Sequence, residues 1–236
     1  MPEKRKIVRR PRAERTQEIR RAAREAFAAH GYAGAVMADI AHAAGVAEGT
    51  IYKLFENKRA LLDSVMTDWY ATLTDGLQHQ LRGIDDPAQK LRYVIWYHLT
   101  TIRTEPALCR VYFHEIRAQQ DYRDSAMFKL NQDYTSYTVE VLREGVAAGV
   151  FRDDVPLPIV RDTIFGGLEH YAWQFLAGAK TLDIEHTTEQ FWRLIVAGIS
   201  ADNGAPERMD RQLAPLVERL EAVAGRLERQ PQGRGQ

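Results

Sequence analysis

Two groups of residues carry the chemistry legible in this sequence, and both suit binding rather than turnover. The first is a basic front, in which Lys4, Arg5, Lys6, Arg9, Arg10, Arg12 and Arg15 precede any apolar periodicity. The formal net charge of the chain is zero, yet Met1 to Arg59 holds 13 Lys/Arg against 7 Asp/Glu and the remainder 19 against 25. Such asymmetry points to a polyanion as the partner of the front segment. The second group is the run Asp39-Ile40-Ala41-His42-Ala43-Ala44-Gly45-Val46-Ala47-Glu48-Gly49-Thr50-Ile51-Tyr52. Ile40, Ala41 and Ala44 offer a small apolar face, Gly45 can take the positive φ of a tight turn, Val46 fills the angle and Ile51 packs inward. What stays exposed is Glu48, Gly49, Thr50, Tyr52 and Lys53, small or hydrogen-bonding residues with no apolar anchor among them. This is the pattern of a helix-turn-helix, whose second helix lies in the major groove of duplex DNA.

Catalytic constellations do not emerge. His114-Glu115 opens like the zinc motif H-E-x-x-H, but Ala118 stands where the second histidine is needed. Glu169-His170 and His186 are isolated, and there is no G-x-S-x-G, phosphate loop or dinucleotide fingerprint. Cys109, the single cysteine, has no activating neighbour and reads as a small buried residue. It cannot close an intrachain disulfide, which suits a reducing compartment. No enzyme, metal or cofactor is therefore expected. No apolar run approaches the roughly 18 residues that span a membrane. Met1 to Arg10 is basic with no apolar stretch behind it, so no secretory signal is expected either, and the expected location is the cytoplasm.

Positioning these groups falls to helices. Ile19, Ala22, Ala23, Ala26 and Phe27 form one stripe, closed by Gly31 where a left-handed cap is expected. Short helices over Met37 to Ala44 and Glu48 to Phe55 flank Gly45, and a longer one runs from Lys58 to about Leu81. Leu91, Val94, Ile95, His98, Leu99 and Ile102 mark a fifth helix beyond Pro87, and Pro106 opens a sixth toward Arg117. A seventh spans about Arg123 to Ala148, an eighth about Pro158 to Ala177, and a ninth about Thr187 to Ser200. Without strand alternation or an internal repeat, the fold class is all-α. The eighth and ninth helices are apolar nearly all round, so they need cover on most sides. A partner subunit would supply it at Ile164, Gly167, Leu168, Tyr171, Phe175, Phe191, Trp192, Ile195 and Ile199, with burial in a monomer core as the alternative. Gly166 and Gly167 would permit close helix approach there. The expected organisation is a disordered arm over 1–11, a DNA-binding domain over 12–59 and a ligand-binding and dimerisation domain over 60–202. An extra amphipathic helix over 203–229 carries Leu213, Leu216, Leu220, Val223 and Leu227, and a disordered tail covers 230–236.

Residues 14 to 62 resemble the amino-terminal domain of the TetR (tetracycline repressor) family. The resemblance is carried by Ile40-Ala41-x-Ala43-Ala44-Gly45-Val46-x-x-Gly49-Thr50-Ile51-Tyr52-x-x-Phe55-x-Asn57-Lys58-x-x-Leu61. It implies that Thr50, Tyr52 and Lys58 bond DNA phosphates, which fixes register without reading sequence. Base reading would fall to Ala47, Glu48, Gly49 and Lys53, with Lys53 suited to guanine and Glu48 to the cytosine amino group. The plainer alternatives are a packing aromatic at Tyr52 and a solvated lysine at Lys58. The sequence departs from the family at Val36 and Ala47, where Ser or Thr often caps a helix, so affinity is expected to lean on Arg12, Arg15 and the rest of the basic arm.

For the body the resemblance implies a homodimer in which the fourth to seventh helices enclose a pocket for a small effector. Effector binding would change the spacing of the two DNA-reading heads and release a palindromic operator. Candidate pocket residues are Trp96, His98, Arg103, Arg110, Tyr112, Phe113, His114, Tyr134, Tyr137, Phe165, Glu169 and Trp173, each of whose aromatics also fits an ordinary core role. Ile164-Phe165-Gly166-Gly167 with Val196-Ala197-Gly198-Ile199 is similar to family members that respond to fatty acyl-CoA. A fatty acyl-CoA or fatty acid is thus the favoured effector, with an aromatic or drug-like molecule as the alternative. A non-specific DNA-binding protein is the competing class, disfavoured because about three quarters of the chain forms an aromatic-rich body.

Overall fold

A computed structural model describes residues 11–201. The arm over 1–10, the amphipathic stretch over 203–229 and the tail over 230–236 lie outside the described residues. The chain within those bounds is helical, and among the described residues the only β pairing is a bridge between Phe151 and Ser200.

α1 (Arg12–Gly34) buries the stripe Ile19, Ala22, Ala23 and Phe27, and Gly31 at φ +68° kinks its last turn. α2 (Met37–Ala43) and α3 (Glu48–Tyr52) follow, with Gly45 at φ +67° between them. α4 (Lys58–Leu81) starts where the Asn57 side chain accepts from Ala60 N at 2.9 Å, and α5 (Pro87–Thr104) where Asp86 accepts from Ala88 N at 2.9 Å. α6 (Pro106–Val111) runs on into one π turn, Tyr112–Ile116, and a 3₁₀ turn over Tyr122–Asp124 leads to α7 (Ala126–Ala147). α8 (Leu157–Leu176) and α9 (Ile184–Ile199) complete the body. Two starts shift from the periodicity because of side-chain caps. Ser125 accepts from Phe128 N and begins α7 later than Arg123, while Asp183 accepts from His186 N and begins α9 before Thr187.

α5 is the centre of the body. Its Leu91, Val94, Ile95, Leu99 and Ile102 are sealed against α7, α8 and α9. This arrangement corrects part of the subunit-interface expectation. Ile164, Leu168, Ile195 and Ile199 are buried inside the single chain, because the flank of each helix that carries them turns toward α5. A Cβ at Gly167 would meet the Phe191 ring at 3.0 Å, so this glycine admits α9 of the same chain rather than a partner helix. Tyr171 remains exposed, and Phe175, Phe191 and Trp192 are half-buried. α1 packs on α2, α4 and α6, which joins the amino-terminal three-helix head to the body.

Candidate functional site

The head presents a short helix with one buried anchor. Ile51 is fully buried, while Glu48, Gly49, Tyr52 and Lys53 are exposed and Thr50 is half-buried. Tyr52 keeps 49% of its surface in solvent, which an inward-packing aromatic would not. Nothing lies within 4 Å of a Cβ built at Gly49, so packing within the chain does not require a glycine there and the position leaves backbone open to close approach. Val46 N donates to Ala41 O at 3.0 Å across the turn, holding α2 and α3 at their angle. Val36 and Ala47 sit at helix starts in extended conformation, and neither side chain caps. Lys58 is partly engaged already: Nζ donates to Ala33 O at 3.2 Å and lies 4.7 Å from the centroid of the Tyr32 ring. It therefore stands at the α1–α2 corner. Arg12 is exposed at the start of α1, and Arg15, one turn on, is half-buried.

In the body, α4 to α8 contribute to a small chamber of about 30 Å³, lined by residues including Trp69, Tyr70, His98, Tyr112, Tyr134 and Glu169. Its wall is an edge-to-face aromatic cluster, with Tyr70 centred 5.6 Å from Tyr112 and 6.3 Å from Tyr134. His98 Nδ1 lies 3.4 Å from the Tyr134 hydroxyl, and its ring meets Phe165 edge-on at 4.9 Å. Burial lowers the His98 pKa to about 4, so the imidazole is neutral near pH 7. Burial also pushes the Cys109 thiol up to about 12, leaving it unreactive, and raises the phenols of Tyr70 and Tyr134.

Beside the chamber runs a groove of about 360 Å³ whose lining includes Arg117, Arg123 and Arg161, Phe128 and Phe165, with Asp162 pairing Arg161 and Glu169 pairing Arg117. A third cleft of about 310 Å³ is bounded by Phe113, Arg117, Gly166, Glu169, His170 and Trp173. Glu169 lines all three spaces and pairs with Arg117. Burial raises the Glu169 pKa against the opposing pull of Arg117. A structural link leads from here to the head. Arg59, adjacent to Lys58, donates from a guanidinium nitrogen to Glu115 O at 3.0 Å, inside the π turn that carries Tyr112 and Phe113, and from Nε to Asp63 at 3.0 Å.

Two family models match this architecture. One, described as bacterial regulatory proteins, tetR family, covers residues 19–65, and the other, described as tetracyclin repressor-like, C-terminal domain, covers residues 84–199. The chain belongs to the TetR family. It is similar to the HTH-type transcriptional repressor KstR2 of Mycolicibacterium smegmatis, at 26% identity over 197 residues, covering 81% of this chain and 94% of that protein. It is also similar to the fatty acid metabolism regulator protein of Bacillus subtilis, at 25% identity over 178 residues, covering 75% of this chain and 92% of the relative. The solved structure of FadR from Bacillus subtilis in complex with stearoyl-CoA superposes with a TM-score of 0.70 at 25% identity, covering 78% of this chain and 98% of that one. FadR from Bacillus halodurans gives 0.68 at 27%, covering 77% and 98%. This TetR-family chain is thus a ligand-responsive, DNA-binding transcriptional regulator and not an enzyme. No helix among the described residues is long and apolar enough to cross a membrane.

Within this TetR-family body the pocket candidates divide. His98, Tyr112, Phe113, Tyr134 and Glu169 line the chamber, Phe165 the groove, and Trp173 the third cleft; His114 lines none of these, its ring tilted at 5.4 Å from Trp173. Tyr137 belongs to a separate cleft of about 180 Å³ beside Lys90 and Glu144. Trp96, Arg103 and Arg110 line none of these four spaces. Trp96 packs 5.5 Å from Tyr93, Arg103 is exposed, and Arg110 donates to Leu176 O at 3.1 Å, holding the end of α8. The candidates lacked Trp69, Tyr70, Asn131, Arg117, Tyr122, Arg123 and Arg161. Helical spacing could have found the first two: Leu62, Val65, Met66, Trp69, Tyr70 and Leu77 share the buried face of α4.

Proposed function

We propose that this chain is a homodimeric repressor that grips a palindromic operator with two copies of α3 and releases it when an acyl-CoA thioester enters the body. The observation that carries the effector class is the adjacency of an aromatic chamber and a groove bearing Arg117, Arg123 and Arg161, which share Asn131 and Glu169 in their walls. A thioester of this kind has one apolar end and one polyphosphate end, and arginine forks match phosphate geometry. Similarity to the FadR structure that holds stearoyl-CoA supports the same class. An aromatic effector is the second reading, favoured by the ring-lined walls of the chamber. In the DNA-bound state the two recognition helices sit about 34 to 36 Å apart, and an effector that prefers a different spacing weakens binding by its differential affinity for the two states. The protein acts, on this reading, in the cytoplasm. Footprinting on the DNA upstream of its own gene tests the operator half of the proposal, where uniform protection instead of a short palindrome counts against it. Titration of the protected complex with palmitoyl-CoA tests the other half. Release at low micromolar concentration, weakened in R117A/R123A but not matched by coenzyme A alone, is the expected result.

A further inference from the structure

Every polar atom that lines the inner chamber invites the question of what satisfies it. The Tyr70 hydroxyl donates to Asn131 Oδ1 at 3.2 Å, Tyr112 and Tyr122 share a hydrogen bond, Thr101 Oγ1 donates to Tyr97 O at 3.0 Å, and Glu169 holds Arg117. Two lining groups differ. The indole Nε1 of Trp69 and the imidazole Nε2 of His98 are buried and have no hydrogen-bond partner among the described residues. Trp69 is only 6% exposed, so its N–H is cut off from bulk water. Leaving a buried donor unmet is costly, and orphaned groups in native cores are rare.

The geometry points to an effector whose buried end carries an oxygen function, a hydroxyl or a carbonyl, in preference to a saturated unbranched chain. Trp69 and His98 are the residues that make the selection. This deepens the effector site proposed above and rests on it. An indole N–H can only donate, so it calls for an acceptor on the ligand. The His98 ring is neutral and has one proton to share between its two nitrogens. Nδ1 faces the Tyr134 hydroxyl, and Nε2 takes the opposite role to Nδ1, as donor or as acceptor. A hydroxyl answers Trp69 and answers Nε2 in either role; a carbonyl answers Trp69 and the protonated Nε2. A methyl end answers neither and leaves both unpaired. The volume of about 30 Å³ is room for roughly two water-sized groups, which matches a compact polar terminus better than a run of methylenes.

The test compares two matched series of acyl-CoA esters, saturated and ω-hydroxylated, from octanoyl to hexadecanoyl, for release of operator DNA from the full chain and for direct binding by calorimetry. The best ω-hydroxylated ester is expected to act at a concentration roughly tenfold lower than the best saturated one, since a site built around hydrogen bonds rejects an analogue that lacks them. Trp69→Phe and His98→Phe, each verified as folded by circular dichroism and melting, are expected to shrink that ratio toward one. Equal or tighter action of the saturated series on the wild-type chain overturns the inference, as does a ratio unchanged in both variants. Those results leave the thioester reading standing. Binding of no member of either series overturns the thioester reading itself and this selection with it.

Discussion

At Ala47 the backbone already has the extended conformation of a helix cap, with φ −74° and ψ 144°, while its methyl group offers nothing to the free N–H groups that open α3. A serine oxygen there would accept from the second or third amide of the helix, an exchange worth about 1 kcal/mol. Ala47→Ser is therefore expected to raise the melting temperature of the chain and to tighten operator binding. Thermal melts read against binding isotherms check it, and an unchanged melt would show that the first turn of α3 is satisfied in another way. His98 gives a residue-scale prediction of opposite sign. Its pKa falls to about 4 in the fold because burial disfavours the imidazolium, against an ordinary value of 6.5. Between those values the unfolded chain binds the extra proton. Stability from this group is thus complete above about pH 6.5 and is lost as pH falls toward 4, by at most about 1.4 kcal/mol per pH unit. Glu169, with a raised pKa, works the other way, contributing stability at low pH that disappears as pH rises through its folded value. Urea denaturation of the wild type and His98→Phe across this range isolates the histidine. The difference between the two is expected to change with pH below 6.5 and to be constant above it.

The π turn at Tyr112–Ile116 stands between two helices with different duties. It sends Tyr112 and Phe113 toward the chamber and turns the Glu115 carbonyl to Arg59, the second residue of α4. α4 begins at Lys58, separated from α3 by five residues, and ends in the body at Leu81, which is buried. A shift of the π turn as an effector seats itself would pull directly on the first turn of α4. Removing the Arg59 side chain should loosen that connection without touching either binding surface. Arg59→Ala is expected to keep operator affinity without effector, and effector affinity without DNA, within about threefold. The factor by which palmitoyl-CoA weakens operator binding should drop, out of the 5- to 150-fold range usual for coupled sites. Binding measured around the full four-state cycle decides the matter. A coupling factor equal to the wild type's would place the transmission elsewhere, for instance in the Arg24–Glu105 ion pair that ties α1 to the α5–α6 corner.

For the whole molecule the question is what covers the outer side of α8 and α9. Leu194 is 69% exposed, Ile159 62% and Tyr171 52%, and Tyr171 packs edge-on against Phe191. Exposed large apolar side chains on adjoining helices mark an interaction surface, and the homodimer proposed above would seat a second copy of the chain there. Leu194→Glu is expected to leave the circular dichroism unchanged, because the residue makes little contact within its own chain. Sedimentation should then show a monomer at micromolar concentration, with operator affinity down by at least about a hundredfold through lost avidity. A dimer that survives both this change and Tyr171→Glu would move the interface to another face.

The head was legible in the linear chain because its determinants are local. Gly45, the small residues on either side of it and the apolar anchors Ile40 before the turn and Ile51 after it act over a few positions, so reading them needs no neighbour. The helix order of the body was legible for the same reason, with errors at ends, where Ser125 and Asp183 supply caps and where α6 stops at Val111 and passes into the π turn. Periodicity could not say which side of an all-apolar helix meets its own core. For Ile164, Leu168, Ile195 and Ile199 that choice was made by α5, a helix more than 60 residues earlier in the chain. The chamber and its basic groove are likewise products of tertiary structure alone. Trp69 comes from α4, Arg117 from just beyond the π turn, Arg123 from the 3₁₀ turn and Arg161 from α8, and no spacing in the sequence relates them. Short-range rules of conformation act between neighbours along the chain, whereas a cavity is defined by what packing leaves unfilled.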